Sequence, residues 1–537
     1  MKLSDYIAER LYEAGVRFVY GIPGSASIPY IESFSRHGIR FILVSHESAA
    51  GIMASVTGRI TGIPGICHAT MGPGAANILT GAGFALLDRA PVVILTSETD
   101  ERMLGRTSQM NVDHQGLFSP VTKATYRVNK NNAENVLNTA LKICTHEYPG
   151  PVHIGLPAGI AEEEIETGSE AGILSGNELL TDSQIVENRD TEKIINLLEQ
   201  SRRPLIAVGL TAARHKISSS LREFLVLRKI PVVLTPMAKS LLPENHPSYT
   251  GVLFHALSDY LTDVFEKTDL VIGLGYDPVE FNYESWMPDV PLVHFNSVIT
   301  DLPEKREVFQ YTGTPDEWFS LMSHLNPGQI VSESGLIKGI RDETEAVFEG
   351  FTNHFGPVSA VKILQEELPA GATVTADVGS HLHLLGQYWK TGGADNFIIT
   401  NGWSGMGFGI PSALAIQLLK PWADVVCITG DGGLLMSAGE IMTARRYSLP
   451  VKIVVLSDGE LNLIKIKQLW QNIPPEGTLL YSGDLFNADS FLGVRVIRAG
   501  SHEEMSNAIN KAFSVNEPVI INAVIDPEDY SWLVVKR

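Results

Sequence analysis

Two segments in the last quarter of the chain carry residue types suited to a phosphorylated ligand and a metal ion. In Val425-Val426-Cys427-Ile428-Thr429-Gly430-Asp431-Gly432-Gly433 an apolar strand runs into glycines and then into a helix predicted to bury Leu435, Ala438 and Met442 on one face. Glycines let a backbone approach phosphate closely, and a helix N-terminus adds unpaired N–H groups and the positive end of a dipole. Asp431, at the strand end, is placed to hold a cation that bridges phosphate oxygens. Residues 433–456 then lead to Ser457-Asp458-Gly459-Glu460, which closes a second apolar strand, Val451 to Leu456. If these strands are parallel neighbours, Asp431 and Asp458 meet. With a nearby backbone carbonyl, two phosphate oxygens and water they would complete an octahedral magnesium site. A ligand-free turn explains Gly430-Asp431-Gly432 taken alone, but not a second acid at this spacing.

A third acid lies near the other end of the chain. Glu47, in Ser45-His46-Glu47-Ser48-Ala49-Ala50-Gly51, follows an apolar strand and opens a helix of small residues. By itself it is explained as an acid favoured by the helix dipole. Buried in a cofactor site, it would be a carboxyl tuned for proton transfer.

Strand ends must position these groups, because open parallel sheets bind ligands at the carboxyl ends of their strands. Over the first 165 residues apolar runs at 41–45, 64–70 and 91–97 alternate with helical stretches, with turns at Ile22-Pro23-Gly24 and Gly72-Pro73-Gly74. A second series has strands at 204–209, 231–235 and 270–275, and a third contains TVTADVG, DVVCITGDGG, VKIVVLSDG and PVIINAVID. The expected fold class is α/β, with three doubly wound parallel-sheet domains at 1–165, 186–330 and 356–537. Linkers are expected over the acidic stretch 162–190 and near 326–355. The similar length and pattern of the first and third units hint at an ancient duplication.

The bulk composition agrees. A chain of 537 residues exceeds one hydrophobic core, and 44% hydrophobic with 19% charged residues is globular. A net charge of −20 argues against a nucleic-acid or anionic-membrane partner, while leaving room for an anionic substrate at a locally positive site. Cys67, Cys144 and Cys427 are far apart, without metal-ligand spacing, which fits a reducing, cytoplasmic location. The N-terminus reads as an amphipathic helix with charges of both signs, lacking a signal-peptide core, and no apolar run approaches the ~20 residues of a membrane span.

The Gly-Asp-Gly segment and the spaced Ser457-Asp458 resemble the thiamine-diphosphate motif, in which an Asn pair stands where this chain has Ser-Asp; Asp keeps an oxygen donor there. The likeness extends along the chain through GIPGSASIP (21–29), SHESAAGIMA (45–54), MGPGAANILTG (71–81), PGPVHIGLP (149–157), DVGSH (377–381) and NGWSGMGFGIP (401–411). It is similar to the acetolactate synthase and 2-oxo acid decarboxylase superfamily. That resemblance implies pyrimidine-binding, central and diphosphate-binding domains, with thiamine diphosphate and Mg2+ as cofactors. It puts the metal on Asp431, Asp458 and the main-chain oxygen of Glu460, and the diphosphate on Gly430, Gly432, Gly433, Ser380 and His381. Ser404 would accept from the cofactor's amino group through its main chain, and Met406 would be the apolar wedge that bends the cofactor. Glu47 would hydrogen-bond the pyrimidine nitrogen N1′ and so assist loss of the C2 proton. The family's active site lies between chains, implying a homodimer or homotetramer in which Glu47 and Asp431 of one site come from different subunits.

Residues 273–286 and 113–123 look like the catabolic, flavin-independent acetolactate synthases. Gly209, Gly273 and Gly275 form no GxGxxG fingerprint, so FAD is not expected to be needed. Departures cluster at the expected substrate pocket. Ser25 stands where synthases carry Gly or Ala, His68 replaces an aliphatic residue, and Met110 falls near a pyruvate-binding Gln. Ser25 and His68 together resemble the Ser and His of benzoylformate decarboxylase, His114 is a candidate to join them, and Ile464 completes the pocket. Lys465 and Lys467 are placed either to attract an anion or simply to be solvated. A neutral histidine suits protonation of the carbon left after carbon dioxide departs, which favours aldehyde release, although a ligase can use it on the acceptor alkoxide. The expected activity is acetolactate-synthase-like decarboxylation and carboligation of a small 2-oxo acid. The alternatives are a non-oxidative decarboxylase releasing an aldehyde and a catalytically silent cofactor-binding homologue.

Overall fold

Every apolar run named above as a strand forms one, and among the described residues all neighbouring strands but one pair are parallel. The structure, a computed structural model, describes residues 1–165, 190–254, 258–303, 306–351, 353–393 and 395–533. The linker expected at 162–190 falls mostly outside the described residues.

Three sheets follow along the chain. The first contains β1 (Phe18–Gly21), β2 (Arg40–Leu43), β3 (Gly65–Ala69), β4 (Val92–Glu98), β5 (Ala124–Arg127) and β6 (Pro151–Pro157), in the order β2-β1-β3-β4-β6-β5. The second contains β7 (Pro204–Val208), β8 (Val232–Leu234), β9 (Tyr249–Val252), β10 (Leu270–Leu274), β11 (Leu292–Asn296) and β12 (Val308–Thr312), in the order β12-β11-β10-β7-β8-β9. The third contains β13 (Thr373–Ala376), β14 (Phe397–Ile398), β15 (Val425–Gly430), β16 (Lys452–Ser457), β17 (Ser490–Phe491), β18 (Val494–Ala499) and β19 (Val519–Val524), in the order β14-β13-β15-β16-β19-β18-β17. With the two-residue edge strand β17 set aside, the third sheet repeats the winding of the first strand for strand. The duplicated pattern in the sequence thus recurs as topology.

Central strands are covered on both faces, which is why they read as continuous apolar runs rather than alternating ones. In the first sheet Ile66, Val93 and Leu95 face a core with Leu3, Leu11, Tyr30 and Phe34. Cys67, Ala69 and Ile94 face the other, with Ala50, Met53 and Phe84, and that second core continues into Phe408, Ile410 and Leu414 of the third unit. Helix Glu47–Thr61 crosses helix Leu79–Leu87 so closely that a Cβ on Gly51 would lie 2.5 Å from Gly81 Cα. Among the described residues no helix is long and apolar enough to cross a membrane.

Two expectations are corrected. The segment near 326–355 is not simply a linker: it holds helix Ser334–Glu349, which buries Ile337, Ile340 and Phe348 at helical spacing. The helix after Gly433 does not bury Leu435, Ala438 and Met442. It stops at Ser437 and resumes at Glu440, so Leu434, Ile441 and Ala444 face inward while Leu435 and Met436 face out.

Candidate active site

Strands β15 and β16 are parallel neighbours inside the sheet with Gly430 opposite Leu456, so Asp431 and Asp458 stand together at the edge formed by the carboxyl ends of its central strands. Asp431 Oδ2 accepts from Gly459 N–H (2.7 Å), Asp458 N–H (3.2 Å) and the Tyr481 hydroxyl (3.0 Å), and Oδ1 accepts from Gly432 N–H (2.8 Å). Asp458 Oδ1 accepts from Glu460 N–H (3.0 Å) and Oδ2 from Asn462 Nδ2 (2.7 Å). Burial, and then the charge of Asp431, pushes the Asp458 carboxyl up to about 7, and burial raises Asp431 as well. A cation held between two acids that resist ionising together relieves that repulsion, and an all-oxygen donor set suits a hard divalent ion. The Glu460 carboxylate is taken by Lys465, so what it offers a metal is its main chain.

Beside this edge, helix Ser380–Tyr388 begins with two buried polar atoms that lack a hydrogen-bond partner, Ser380 Oγ and His381 Nε2. A Cβ on Gly430 would sit 3.3 Å from the His381 ring. Orphaned polar groups at a helix N-terminus, facing a glycine strand end, fit a phosphate ligand. Burial holds the His381 imidazole down to about 4, and a diphosphate beside it would work in the opposite direction.

Asp377 fixes the loop that carries Ser404 and Met406. Its buried carboxylate accepts from Val378 N–H (2.7 Å) and Gly407 N–H (2.9 Å) through Oδ1, and from Gly409 N–H (3.1 Å) and the Thr429 hydroxyl (3.3 Å) through Oδ2. Ser404 sits at φ +52°, with its hydroxyl donating to Asn401 O (2.9 Å). Met406 Sδ lies 3.8 Å from the position a Cβ on Gly432 would take, and a Cβ on Gly433 would meet Asp377 Cγ at 2.8 Å.

Glu47 opens its helix in a buried position, and its Oε2 accepts from Asn77 Nδ2 (3.0 Å). A Cβ on Gly74 would lie 3.2 Å from Oε1 and 3.1 Å from Thr70 Cγ2, so a side chain there would crowd the acid. The third unit braces the preceding segment, with Glu440 Oε1 accepting from Ser45 N–H (3.0 Å) and His46 N–H (3.1 Å). Among the described residues, no hydrogen bond or ion pair joins Glu47 to Asp431, Asp458, Ser380 or His381.

The expected pocket residues divide. Ser25 is exposed at the start of a short turn, where Gly24 backs onto the Thr70 hydroxyl. His68 is buried on β3 and shares the Ile66 face, opposite the helix of Glu47. Its ring packs edge-on to Phe41, and its Nε2 has no partner. Burial lowers it to about 4. Met110 is exposed at φ +58°, its carbonyl against Gly72, and Ile464 is exposed on helix Asn462–Trp470. His114 is buried, with both ring nitrogens engaged by Gly72 N–H and Thr96 Oγ1. Sequence reasoning missed Asn77, Asp377, Asn462 and Tyr481 as individual groups. Asn77 and Asp377 lie inside matched motifs and Asn462 is four residues past Asp458, so each had a signal, whereas Tyr481 had none.

Similarity to known proteins falls along the same divisions. Residues 1–117 match the thiamine pyrophosphate enzyme N-terminal TPP binding domain, residues 191–310 the central domain, and residues 377–523 the C-terminal TPP binding domain. The chain is 28% identical to the probable acetolactate synthase large subunit of Methanocaldococcus jannaschii, covering 98% of this chain and 93% of that protein. It is 27% identical to the acetolactate synthase isozyme 2 large subunit of Escherichia coli (100% and 97% covered) and 25% identical to the acetolactate synthase of Bacillus subtilis (98% and 93% covered). An acid pair at one sheet edge, unpartnered groups at a helix start, and family matches that take in both these and Glu47 place the chain in the thiamine-diphosphate-dependent acetolactate synthase superfamily.

Proposed function

We propose that this chain is a thiamine-diphosphate- and Mg2+-dependent carboligase of the acetolactate synthase type. A small 2-oxo acid would lose carbon dioxide, and its acyl carbon would join the carbonyl carbon of an acceptor, whose oxygen takes up a proton. The observation that carries this reading is the third-unit edge, where Asp431 and Asp458 converge beside unpartnered Ser380 and His381. Thiamine diphosphate, when bound, supplies the carbon nucleophile and the electron sink for decarboxylation. Asp431, Asp458 and the Glu460 main-chain oxygen would hold the metal, and Ser380, His381 and the Gly430–Gly433 turn the diphosphate. Met406 and the Ser404 main chain would shape the cofactor. Glu47, steadied by Asn77, would exchange a proton at the pyrimidine nitrogen. In this reading 1–165, 186–330 and 356–537 act as pyrimidine-binding, central and diphosphate-binding domains.

Two further observations shape the proposal. Among the described residues no hydrogen bond or ion pair joins Glu47 to the diphosphate residues of its own chain, and Trp403, Leu435, Met436, Ile464 and Leu479 of the third unit are exposed; a second copy supplying Glu47 would cover them, as a homodimer or within a homotetramer. In the middle sheet, a Cβ on Gly209 would lie 2.5 Å from Tyr276 Cα, and one on Gly275 2.4 Å from Ala212 N. These turns pack on each other, and Gly209, Gly273 and Gly275 form no GxGxxG fingerprint, so we assign no flavin to the reaction. Burial of His68 and the occupied ring of His114 leave neither imidazole free to protonate a product carbon, which favours ligation over aldehyde release. Buried, unpaired Cys67, Cys144 and Cys427 suit a reducing cytoplasm.

A panel of 2-oxo acids tests the reading, with carbon dioxide and product detected in the presence of thiamine diphosphate and Mg2+. Acetolactate-type products are expected. Free aldehyde alone would favour the decarboxylase, and the absence of Mg2+-dependent cofactor binding would overturn both.

A further inference from the structure

A largely buried polar chain runs beside the first sheet and ends on the short helix whose Asn77 donates to Glu47. It contains Thr96 and Glu98 on β4, His114 and Gln115 at the start of helix His114–Phe118, Thr125 and Arg127 on β5, and His153 on β6. Gly72 N–H meets His114 Nε2 (3.2 Å), His114 Nδ1 meets Thr96 Oγ1 (2.9 Å), and Thr96 Oγ1 meets His153 Nε2 (2.8 Å). His153 Nδ1 meets Thr125 Oγ1 (2.6 Å), Thr125 Oγ1 meets Gln115 Oε1 (2.7 Å), and Gln115 Nε2 meets Glu98 Oε1 (2.8 Å). Arg127 pairs with the other Glu98 oxygen at 2.6 Å.

The two ends fix every direction between them. A backbone N–H only donates, so His114 Nε2 is the acceptor and its proton rests on Nδ1. That proton goes to Thr96, whose hydroxyl must then donate to His153 Nε2. His153 donates from Nδ1 to Thr125, Thr125 donates to Gln115 Oε1, and Gln115 Nε2 donates to the Glu98 carboxylate. Both imidazoles are neutral in this arrangement. Burial favours that state, holding His114 at about 4 and His153 well below the usual histidine value. Glu98, His114 and His153 offer ligand atoms within 4.8 Å of one another. Yet Thr96 Oγ1 stands between the imidazoles and Arg127 already neutralises Glu98, so the cluster suits a relay and not a cation.

Gly72 caps helix Pro73–Asn77 at φ +66°, and a Cβ there would strike the Met110 carbonyl at 2.7 Å. From that helix Asn77 donates to Glu47 Oε2. His114 therefore anchors one end of the element whose other end fixes the acid.

We propose that His114 is a positioning residue that acts through Gly72 and helix Pro73–Asn77 to set the Glu47 carboxylate, and does not exchange protons with substrate. The proposal rests on reading Glu47 as the cofactor-activating acid. Three variants of the full chain test it. His114→Gln keeps an acceptor near the Nε2 position, His114→Leu removes it, and Thr96→Val removes the hydroxyl that orients the ring. Amide deuterium exchange over residues 70–78 is read by mass spectrometry without cofactor, C2 deuterium exchange with bound thiamine diphosphate, and kcat and KM on the responding 2-oxo acid.

His114→Leu and Thr96→Val should lose protection over 70–78 and slow C2 exchange and kcat about tenfold with KM little changed, and His114→Gln should return both rates to within about threefold of wild type. Wild-type protection and C2 exchange in His114→Leu, with product formation lost, would overturn the proposal. If His114→Leu does not fold, wild-type behaviour of Thr96→Val overturns it equally. Absence of C2 exchange in the wild type with cofactor bound would sink the Glu47 reading and this proposal together, whereas wild-type exchange with indifferent variants sinks this proposal alone.

Discussion

His68, His114 and His381 are each held by burial at about 4 in the folded chain. Unfolded, they take up protons near their ordinary value of about 6.5. Between those values the unfolded state binds more protons, so the stability these groups provide is complete above about 6.5 and lost as pH falls toward about 4, at about 1.4 kcal/mol per pH unit for each histidine. Urea midpoints of the cofactor-free protein should drop across that window. His68→Phe, which replaces a buried ring beside Phe41 whose Nε2 has no partner, should flatten the drop, and an unchanged slope would count against the buried neutral state. At this scale the sequence picked out Asp431, Asp458 and Glu47, because acids at strand ends and helix starts are visible locally. Tyr481 was not legible, because its partner Asp431 lies fifty residues earlier in the chain and nothing local marks the pairing.

Among the elements, the segment from Asn401 to Gly409 is pinned by two buried acids, Asp88 at Gly402 and Asp377 at Gly407 and Gly409. Asp377→Asn would turn an amide donor toward the N–H of Gly407 or Gly409, leaving an unsatisfied pair that costs about 1–3 kcal/mol. The loop bearing Ser404 and Met406 should loosen, lowering the urea midpoint and weakening thiamine diphosphate binding. Wild-type cofactor affinity in this variant would separate Asp377 from the site. The strands were legible here because sheets covered on both faces demand unbroken apolar runs. Helices were less so. Leu435 and Met436 look like core residues by composition, yet the break at Ala438–Gly439 turns them outward.

At the level of the whole molecule, the first and third units share a continuous core within one chain, while among the described residues no hydrogen bond or ion pair joins Glu47 to the acid pair of that chain. If the site forms between copies, Glu47→Gln and Asp431→Asn should each be nearly inactive alone. Mixed after dissociation and reassociated as dimers, they should regain about a quarter of wild-type activity, because half the dimers are mixed and each of those rebuilds one intact site of two. No recovery, with mixed dimers present by native mass spectrometry, would place the complete site within a single chain.

The parallel-sheet class, the repeated pattern of the outer units and the acids that mark a diphosphate and metal edge are legible along the chain, because all of these are written in local apolar runs and turn residues. The roles of the histidines emerge on folding alone. Strand alternation turned His68 away from the helix of Glu47 and into a core, and Gly72 and Thr96, from two distant segments, took up both nitrogens of His114 and fixed its tautomer. A side chain's proton inventory depends on which groups face it, and chain spacing does not record that.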